Sequence, residues 1–193
     1  MSAAASNAPM RSPQLEQIRR EVEESSEHAR KLVSGMDEEQ LRRRPAAGRW
    51  SVAECIAHLT KSAEVNLPRL DAALSEAEQR NLRSDGPHQL DIVGGLLKWS
   101  LEPPYRMKVK TTAPFEPDAM DGVAQVLPRF LASQSEILAR VERAQGLALD
   151  QVKITSAFNG RVRYNAFAAF HIILAHVRRH LWQAEQVKAG MGG

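Results

Sequence analysis

The chain has 193 residues, of which 43% are apolar and 25% charged, as in a soluble globular domain with a full hydrophobic core. The net charge of +3 is too small to indicate a nucleic-acid partner. The single cysteine, Cys55, excludes an intramolecular disulfide and a secreted disulfide framework. No apolar run approaches the length of a membrane span, so we predict a cytoplasmic protein with no membrane partner.

The chain opens with small and polar residues. Residues 1–11 lack the apolar stretch of a signal peptide, so we expect a disordered N-terminal tail. Ser12 and Pro13 then open the first long helix, because serine can cap a helix and proline is tolerated at its first position. Apolar residues recur at helical spacing to about Val33, and a short helix capped by Asp37 follows.

The second long helix begins with a capping box. Ser51 is followed three residues later by Glu54, and Trp50 stands where a hydrophobic staple residue would stand. The helix is predicted to run towards Gln79, with Pro68 able to kink it. Its predicted apolar face comprises Val52, Cys55, Ile56, Leu59, Ala63, Leu70 and Leu74. A cysteine on this face is interpreted as a buried, inert thiol.

The middle of the chain is predicted to be mixed. Residues 90–99 indicate a short helix, weakened by two adjacent glycines. Residues 106–112 alternate apolar with basic side chains, which indicates an extended segment. The third long helix is expected to start at Asp118 or Asp121 and to run to about Arg143.

The last third contains an extended segment and a helix. Residues 151–158 are predicted to be extended, and Asn159 with the following glycine signals a turn. Asn165 can cap the fourth long helix, which continues to about Lys188. Four amphipathic helices bury their apolar stripes by packing together. We therefore predict one all-α domain over residues 12–190, a four-helix bundle with short helical and extended insertions.

The fourth long helix carries His176 and His180 one turn apart on one face. Small and aliphatic residues flank them on the helical wheel, and Arg178 lies opposite, so the pair points inward. Two adjacent buried imidazoles are difficult to satisfy by hydrogen bonds, and their i, i+4 spacing suits a first-row metal ion. Hydrogen-bonded core histidines are the alternative interpretation. His171 lies on another face and is excluded from the pair.

Two histidines leave a metal ion under-coordinated, so a third must come from another helix. His58 is the best candidate, because it lies on the second long helix at the margin of its buried face. His28 lies on the first helix among charged residues, and His88 lies in a polar loop. Both are interpreted as surface residues.

Two stretches of the sequence carry a family resemblance. In residues 50–59, a Trp-Ser helix start is followed two turns later by His58. In residues 176–183, a His-x-x-x-His pattern is followed three residues on by Gln183. Together they resemble the DinB-like family of metal-binding four-helix bundles. The helix spacing extends this resemblance over nearly the whole chain after the N-terminal tail.

The resemblance implies an up-down-down-up bundle, a homodimer, and one divalent metal ion bound by His58, His176 and His180. Three neutral imidazoles favour Zn²⁺, with Ni²⁺ or Fe²⁺ as alternatives. Four further residues lie near the ligand faces and are candidates for supporting the ligands or lining a pocket, with a solvated or structural role weighed equally: Glu54, Ser62, Asn66 and Gln183. Trp182 is taken as exposed, which is a weak hint of an interface.

Some relatives in this family are thiol-dependent transferases, in which the metal lowers the pKa of a low-molecular-weight thiol. The resemblance therefore implies a thiol S-transferase or hydrolase acting on a small electrophilic molecule, with a metal-bound water or thiol as the reactive group. The alternative is a non-catalytic, metal-stabilised dimer that serves as a binding or stress-response module.

Overall fold

The computed structural model of the chain describes residues 12–104, 115–116 and 123–191. Six α-helices account for most of these residues, so the predicted all-α class is confirmed: α1 (Pro13–Val33), α2 (Glu38–Arg42), α3 (Val52–Gln79), α4 (Ile92–Leu101), α5 (Val126–Arg143) and α6 (Ala166–Ala189). Two short strands, β1 (Lys153–Thr155) and β2 (Arg163–Asn165), pair antiparallel. The predicted tail and the predicted extended segment 106–112 lie outside the described residues.

Side-chain caps fix where α3 and α6 begin. The Ser51 hydroxyl accepts a hydrogen bond from the Glu54 backbone N–H, and the Glu54 carboxylate accepts one from the Ser51 backbone N–H. Asn165 caps α6 as predicted. Ser12 makes no side-chain capping hydrogen bond to α1, although it is the residue before the helix, and its backbone N–H donates to Oε1 of Gln145. Both site-bearing helices therefore have the starts that the sequence predicts.

The third long helix begins later than predicted. A 3₁₀ turn over Val123–Gln125 precedes α5, whose first α-helical residue is Val126. Asp118 and Asp121, the two predicted starts, lie outside the described residues. Pro128 stands in the first turn of α5, where its missing N–H costs no intrahelical hydrogen bond.

The four long helices pack in a ring, because α1 and α3 each pack against both α5 and α6. The apolar residues predicted to face the core from the first two long helices are all at most 5% exposed: Leu15, Ile18, Val22, Ala29 and Leu32 of α1, and Val52, Cys55, Ile56, Leu59, Ala63, Leu70 and Leu74 of α3. The helix α3 continues through Pro68 without ending. None of the helices in the described ranges is long and apolar enough to cross a membrane.

Polar contacts join the helices in ordered series. Between α1 and α6, the contacts are Glu21 with Arg178, His28 with Glu185, and the Leu32 carbonyl with Lys188. Between α3 and α5, they are Glu64 with Arg129, Asp71 with Arg140, and Glu78 with Arg143. In each series the residue numbers rise together along both helices. Single surface pairs add little stability, but an ordered series relates the directions of two helices.

His88 is buried, so its interpretation as a surface residue was wrong. The Gln14 side-chain amide bonds both the N–H and the C=O of His88 and draws this loop onto α1. The imidazole lies 5.3 Å from the Phe167 ring, and burial lowers its pKa. The Asp150 carboxylate is 3.9 Å from Nδ1, too far for a hydrogen bond. Within the described residues, neither ring nitrogen has a hydrogen-bond partner.

The helix α4 approaches α6 closely at Gly94. A Cβ at Gly94 would clash with the Cβ of Ala168 and would lie 2.8 Å from Oδ1 of Asp91. A Cβ at Gly95 would meet nothing within 4 Å. Both glycines lower the helix propensity of α4, but only Gly94 is required for its packing against α6.

We expect Gly94→Ala to lower the free energy of unfolding by about 1–3 kcal/mol, because the overpacked contact between α4 and α6 must shift. Gly95→Ala should raise it by up to about 1 kcal/mol, because alanine is the better helix former. Urea unfolding of both variants beside the wild type measures the two effects. Equal changes in the two variants would contradict the close approach at Gly94.

Candidate metal centre

Two helices bring three imidazoles together. His58 lies two turns into α3, and His176 and His180 lie one turn apart in α6. The Nε2 atoms of His58 and His176 are 3.2 Å apart, and one ligand nitrogen from each of the three rings lies within 4.8 Å of the others. The structure thus places side by side the three histidines that the sequence singled out.

The cluster is buried and uncharged. His58, His176 and His180 are 2%, 8% and 8% exposed, so His58 lies inside the core rather than at its margin. Burial lowers the pKa of all three, that of His176 to about 3. The buried Arg179 guanidinium adds a smaller positive repulsion at His176 and His180. All three rings are therefore neutral at pH 7, which is the form that binds metal ions.

Hydrogen bonds at Nδ1 fix two of the rings. Nδ1 of His58 donates to the backbone carbonyl of Phe115, and Nδ1 of His180 donates to Oε1 of Gln183 at 3.1 Å. Both partners are carbonyl oxygens, which only accept, so Nδ1 carries the hydrogen in each ring. In a neutral imidazole the other nitrogen then presents a lone pair. The Nε2 atoms of His58 and His180 are therefore unprotonated and available as ligand atoms.

The third ring has a hydroxyl beside it. Oγ of Ser62 lies 3.3 Å from Nδ1 of His176. The Asn66 amide donates to the Ser62 carbonyl at 2.8 Å and reaches its hydroxyl oxygen at 3.4 Å. Because a hydroxyl both donates and accepts, it fits either tautomer of His176. When Nδ1 of His176 carries the hydrogen, the Nε2 atoms of all three rings carry lone pairs that a metal ion can bind.

The remaining candidates lie apart from the three rings. The Glu54 carboxylate accepts hydrogen bonds from Arg44 and from the Ser51 backbone. Burial acts to raise the pKa of this carboxyl, but these bonds outweigh it and hold the pKa below its ordinary value. Its carboxylate thus secures the start of α3. His171 lies against Phe167, with ring centroids 4.7 Å apart, and belongs to the opposite side of α6. Burial lowers its pKa to about 4.

The model of the DinB superfamily matches residues 21–184, a stretch that includes all three histidines and all four long helices apart from the ends of the first and last. The chain belongs to the DinB superfamily. Proteins of this superfamily are often metal-binding. No curated protein and no solved structure matches the chain.

The nitrogen spacing in this DinB-superfamily chain fits a metal ion. Two nitrogens bound at about 2.0–2.1 Å to a tetrahedral Zn²⁺ lie roughly 3.3 Å apart. The Nε2 atoms of His58 and His176 are 3.2 Å apart. If both present lone pairs, they repel each other at this distance unless a cation lies between them. The donor set, three imidazole nitrogens without a carboxylate or thiolate, suits Zn²⁺, Ni²⁺ or Fe²⁺.

A metal-free arrangement also satisfies two of the rings. His176 can donate from Nε2 to His58, while Ser62 donates to Nδ1 of His176. Nε2 of His180 takes no part in this arrangement, and its Nδ1 remains bonded to Gln183. A metal ion satisfies three lone pairs where the hydrogen-bonded arrangement satisfies two.

Aromatic side chains border the cluster, and sequence reasoning largely missed them. The Trp50 ring lies 4.8 Å from His58 and 5.8 Å from His180. The Phe158 ring lies 6.5 Å from His176 and stacks on Phe115 at 4.0 Å. The sequence marked Trp50 as a staple residue and as part of the family motif, but not as a ring beside the histidines. Phe158 could have been noticed in the sequence as an aromatic residue directly before the predicted turn. Phe115 orients His58 through its backbone carbonyl, which has no signature in the sequence.

Cys55 lies three residues before His58 but is completely buried in the core. Burial raises the pKa of its thiol to about 12, and the negative charge of Glu54 acts in the same direction. The thiol is therefore neutral at pH 7, and the predicted burial is confirmed. Cys55 is not among the residues that converge on the candidate site. A site made of three neutral imidazoles, without this thiolate, would leave the double positive charge of a divalent ion unneutralised.

Proposed function

We propose that this chain binds one divalent metal ion, Zn²⁺ in the first instance, through the Nε2 atoms of His58, His176 and His180. One observation carries the proposal: three buried, neutral imidazoles converge across two helices, and each has a hydrogen-bond partner at Nδ1. A shared metal ion would engage all three rings through Nε2, whereas the metal-free hydrogen bonds engage only those of His58 and His176.

We further propose that the site is catalytic, as a thiol S-transferase or a hydrolase acting on a small electrophilic molecule. A divalent ion with three neutral ligands strongly acidifies a bound water or thiol. The chain's own residues orient the ligands: Phe115, Ser62 and Gln183 hold the three rings. Arg179 disfavours protonation of two of them and so keeps them available as ligands.

The second candidate is a non-catalytic, metal-stabilised module. The hydrogen bonds of Glu54 favour this second candidate. Glu54 is the buried carboxylate one turn before His58, and both Arg44 and the Ser51 backbone bond it. A carboxylate so held is not free to act as a general base. In this reading the metal joins α3 to α6, and the function lies in a partner surface.

We propose the up-down-down-up helix order for the bundle. The rising series of contacts between α1 and α6, and between α3 and α5, supports a parallel direction within each pair. His58 with His180, and Ser62 with His176, run in opposite orders along α3 and α6, which supports antiparallel packing of those helices. The long connection between α3 and α5 accommodates this order.

We expect His176→Ala to weaken zinc binding by more than about a hundredfold and to abolish turnover, because even outer partners of metal ligands contribute about 10–100-fold. Helicity should persist, since the core consists of aliphatic and aromatic side chains. His171→Ala is the matched control, a histidine removed from the same helix outside the cluster, and it should retain both properties. Zinc stoichiometry, affinity and assays of thiol transfer and ester hydrolysis measure the effects.

The outcomes separate the two candidates. Unchanged zinc affinity in His176→Ala would contradict the three-histidine site. Lost zinc affinity in the variant, together with a wild type that is inactive towards every thiol and ester tested, would favour the non-catalytic module. Equal turnover in His176→Ala and wild type would show that the metal does not carry the reaction.

We also propose that the chain forms a homodimer through α4. The outward face of this helix carries Ile92, Leu96 and Trp99, which are 91%, 61% and 54% exposed. Their i, i+4, i+7 spacing forms one apolar stripe, and such stripes mark interaction sites. A twofold dimer interface uses the same patch on both subunits, and an uncharged apolar stripe can pack against its own copy without repulsion. Trp182 gives no support, because it is half-buried rather than exposed.

Leu96→Glu should shift the chain from dimer to monomer at micromolar concentration, because a buried unpaired carboxylate at the interface is costly. Ala72→Glu places the same charge at an exposed position of α3 and should leave the dimer intact. Sedimentation velocity of the two variants and the wild type measures the change. A monomeric wild type, or a dimer that survives Leu96→Glu, would rule out this interface.

A further inference from the structure

One aromatic ring beside the cluster is not accounted for by packing in the core. Phe158 is 53% exposed, although its ring stacks on Phe115 at 4.0 Å with an interplanar angle of 8°. Phe115 is itself 1% exposed and is fixed to His58 through its carbonyl. The stack places one face of the Phe158 ring against Phe115. Its free face is therefore presented to solvent near His176 rather than buried.

A second aromatic ring lies on another side of the same cluster. Trp50 is half-buried, and its ring is tilted over His58 and His180 at 4.8 and 5.8 Å. Its position follows from the capping box, since it directly precedes the Ser51 that starts α3. Apolar planar surfaces thus adjoin all three imidazoles, from two separate segments of the chain.

We propose that the site takes substrates that carry a planar aromatic group beside the atom that reaches the metal, with Phe158 and Trp50 contacting that group. The inference rests on the metal site of the proposed function. Aromatic rings attract one another beyond the area they bury, by stacking or by edge-to-face contact. A flat aromatic group can lie against these rings over its whole face and gains the aromatic attraction, whereas a puckered saturated ring gains neither.

Three hydroxamic acids test the inference on the zinc-loaded full chain. Acetohydroxamic, benzohydroxamic and cyclohexanecarbohydroxamic acids present the same metal-binding group with no ring, a flat ring and a puckered ring. We expect benzohydroxamic acid to bind at least about tenfold more tightly than acetohydroxamic acid, and more tightly than the cyclohexane compound. Isothermal titration calorimetry measures the three affinities without reference to any activity.

Two variants connect that preference to named residues. Phe158→Ala should reduce the preference for the flat ring to about twofold or less, while the affinity for acetohydroxamic acid stays unchanged. Phe158→Leu keeps an apolar side chain of similar size but removes the ring, and it should lose the preference for the flat over the puckered compound. Trp50→Ala tests the second ring in the same way.

Each outcome bears on the inference. Equal binding of acetohydroxamic and benzohydroxamic acids to a chain that holds zinc would overturn the aromatic preference and leave the metal site standing. A preference that survives in both Phe158→Ala and Trp50→Ala would overturn the assignment to these rings. A chain that binds no zinc would remove the proposed function and this inference with it.

Discussion

Three imidazoles meet across the contact between α3 and α6, and the burial of their ring nitrogens is the constraint on which the site depends. Burial keeps the rings neutral, and partners at Nδ1 orient them. A neutral imidazole without a partner at its second nitrogen is costly in a core. A shared metal ion would engage all three rings, whereas the metal-free hydrogen bonds engage only those of His58 and His176.

The caps of α3 and α6 and the neighbouring helices fix the relative positions of the two helices that carry the histidines. The caps at Ser51 and Asn165 set the first residues of α3 and α6, and the positions of the histidines follow from helical spacing. On its other side, α6 is held by α4 through the close approach at Gly94, and by α1 through the ordered polar contacts. A shift of either site helix along its axis by one residue, about 1.5 Å, would separate the ring nitrogens.

Local signals predicted much of this arrangement, and long-range contacts account for what was missed. A capping box and an i, i+4 histidine pair are contained within one helix, so they can be found in the sequence. The carbonyl of Phe115 and the loop around His88 are placed by partners 57 and 74 residues away. A backbone carbonyl has no sequence signature, and a polar loop gives no sign that Gln14 will bury it.

The central claim is that three imidazoles bind one ion, and X-ray absorption at the zinc edge tests it most directly. The zinc-loaded chain should show three imidazole nitrogens at about 2.0–2.1 Å, with the remaining coordination supplied by light atoms rather than sulfur. Fewer than three imidazoles, or a sulfur ligand at about 2.3 Å, would contradict the site formed by His58, His176 and His180.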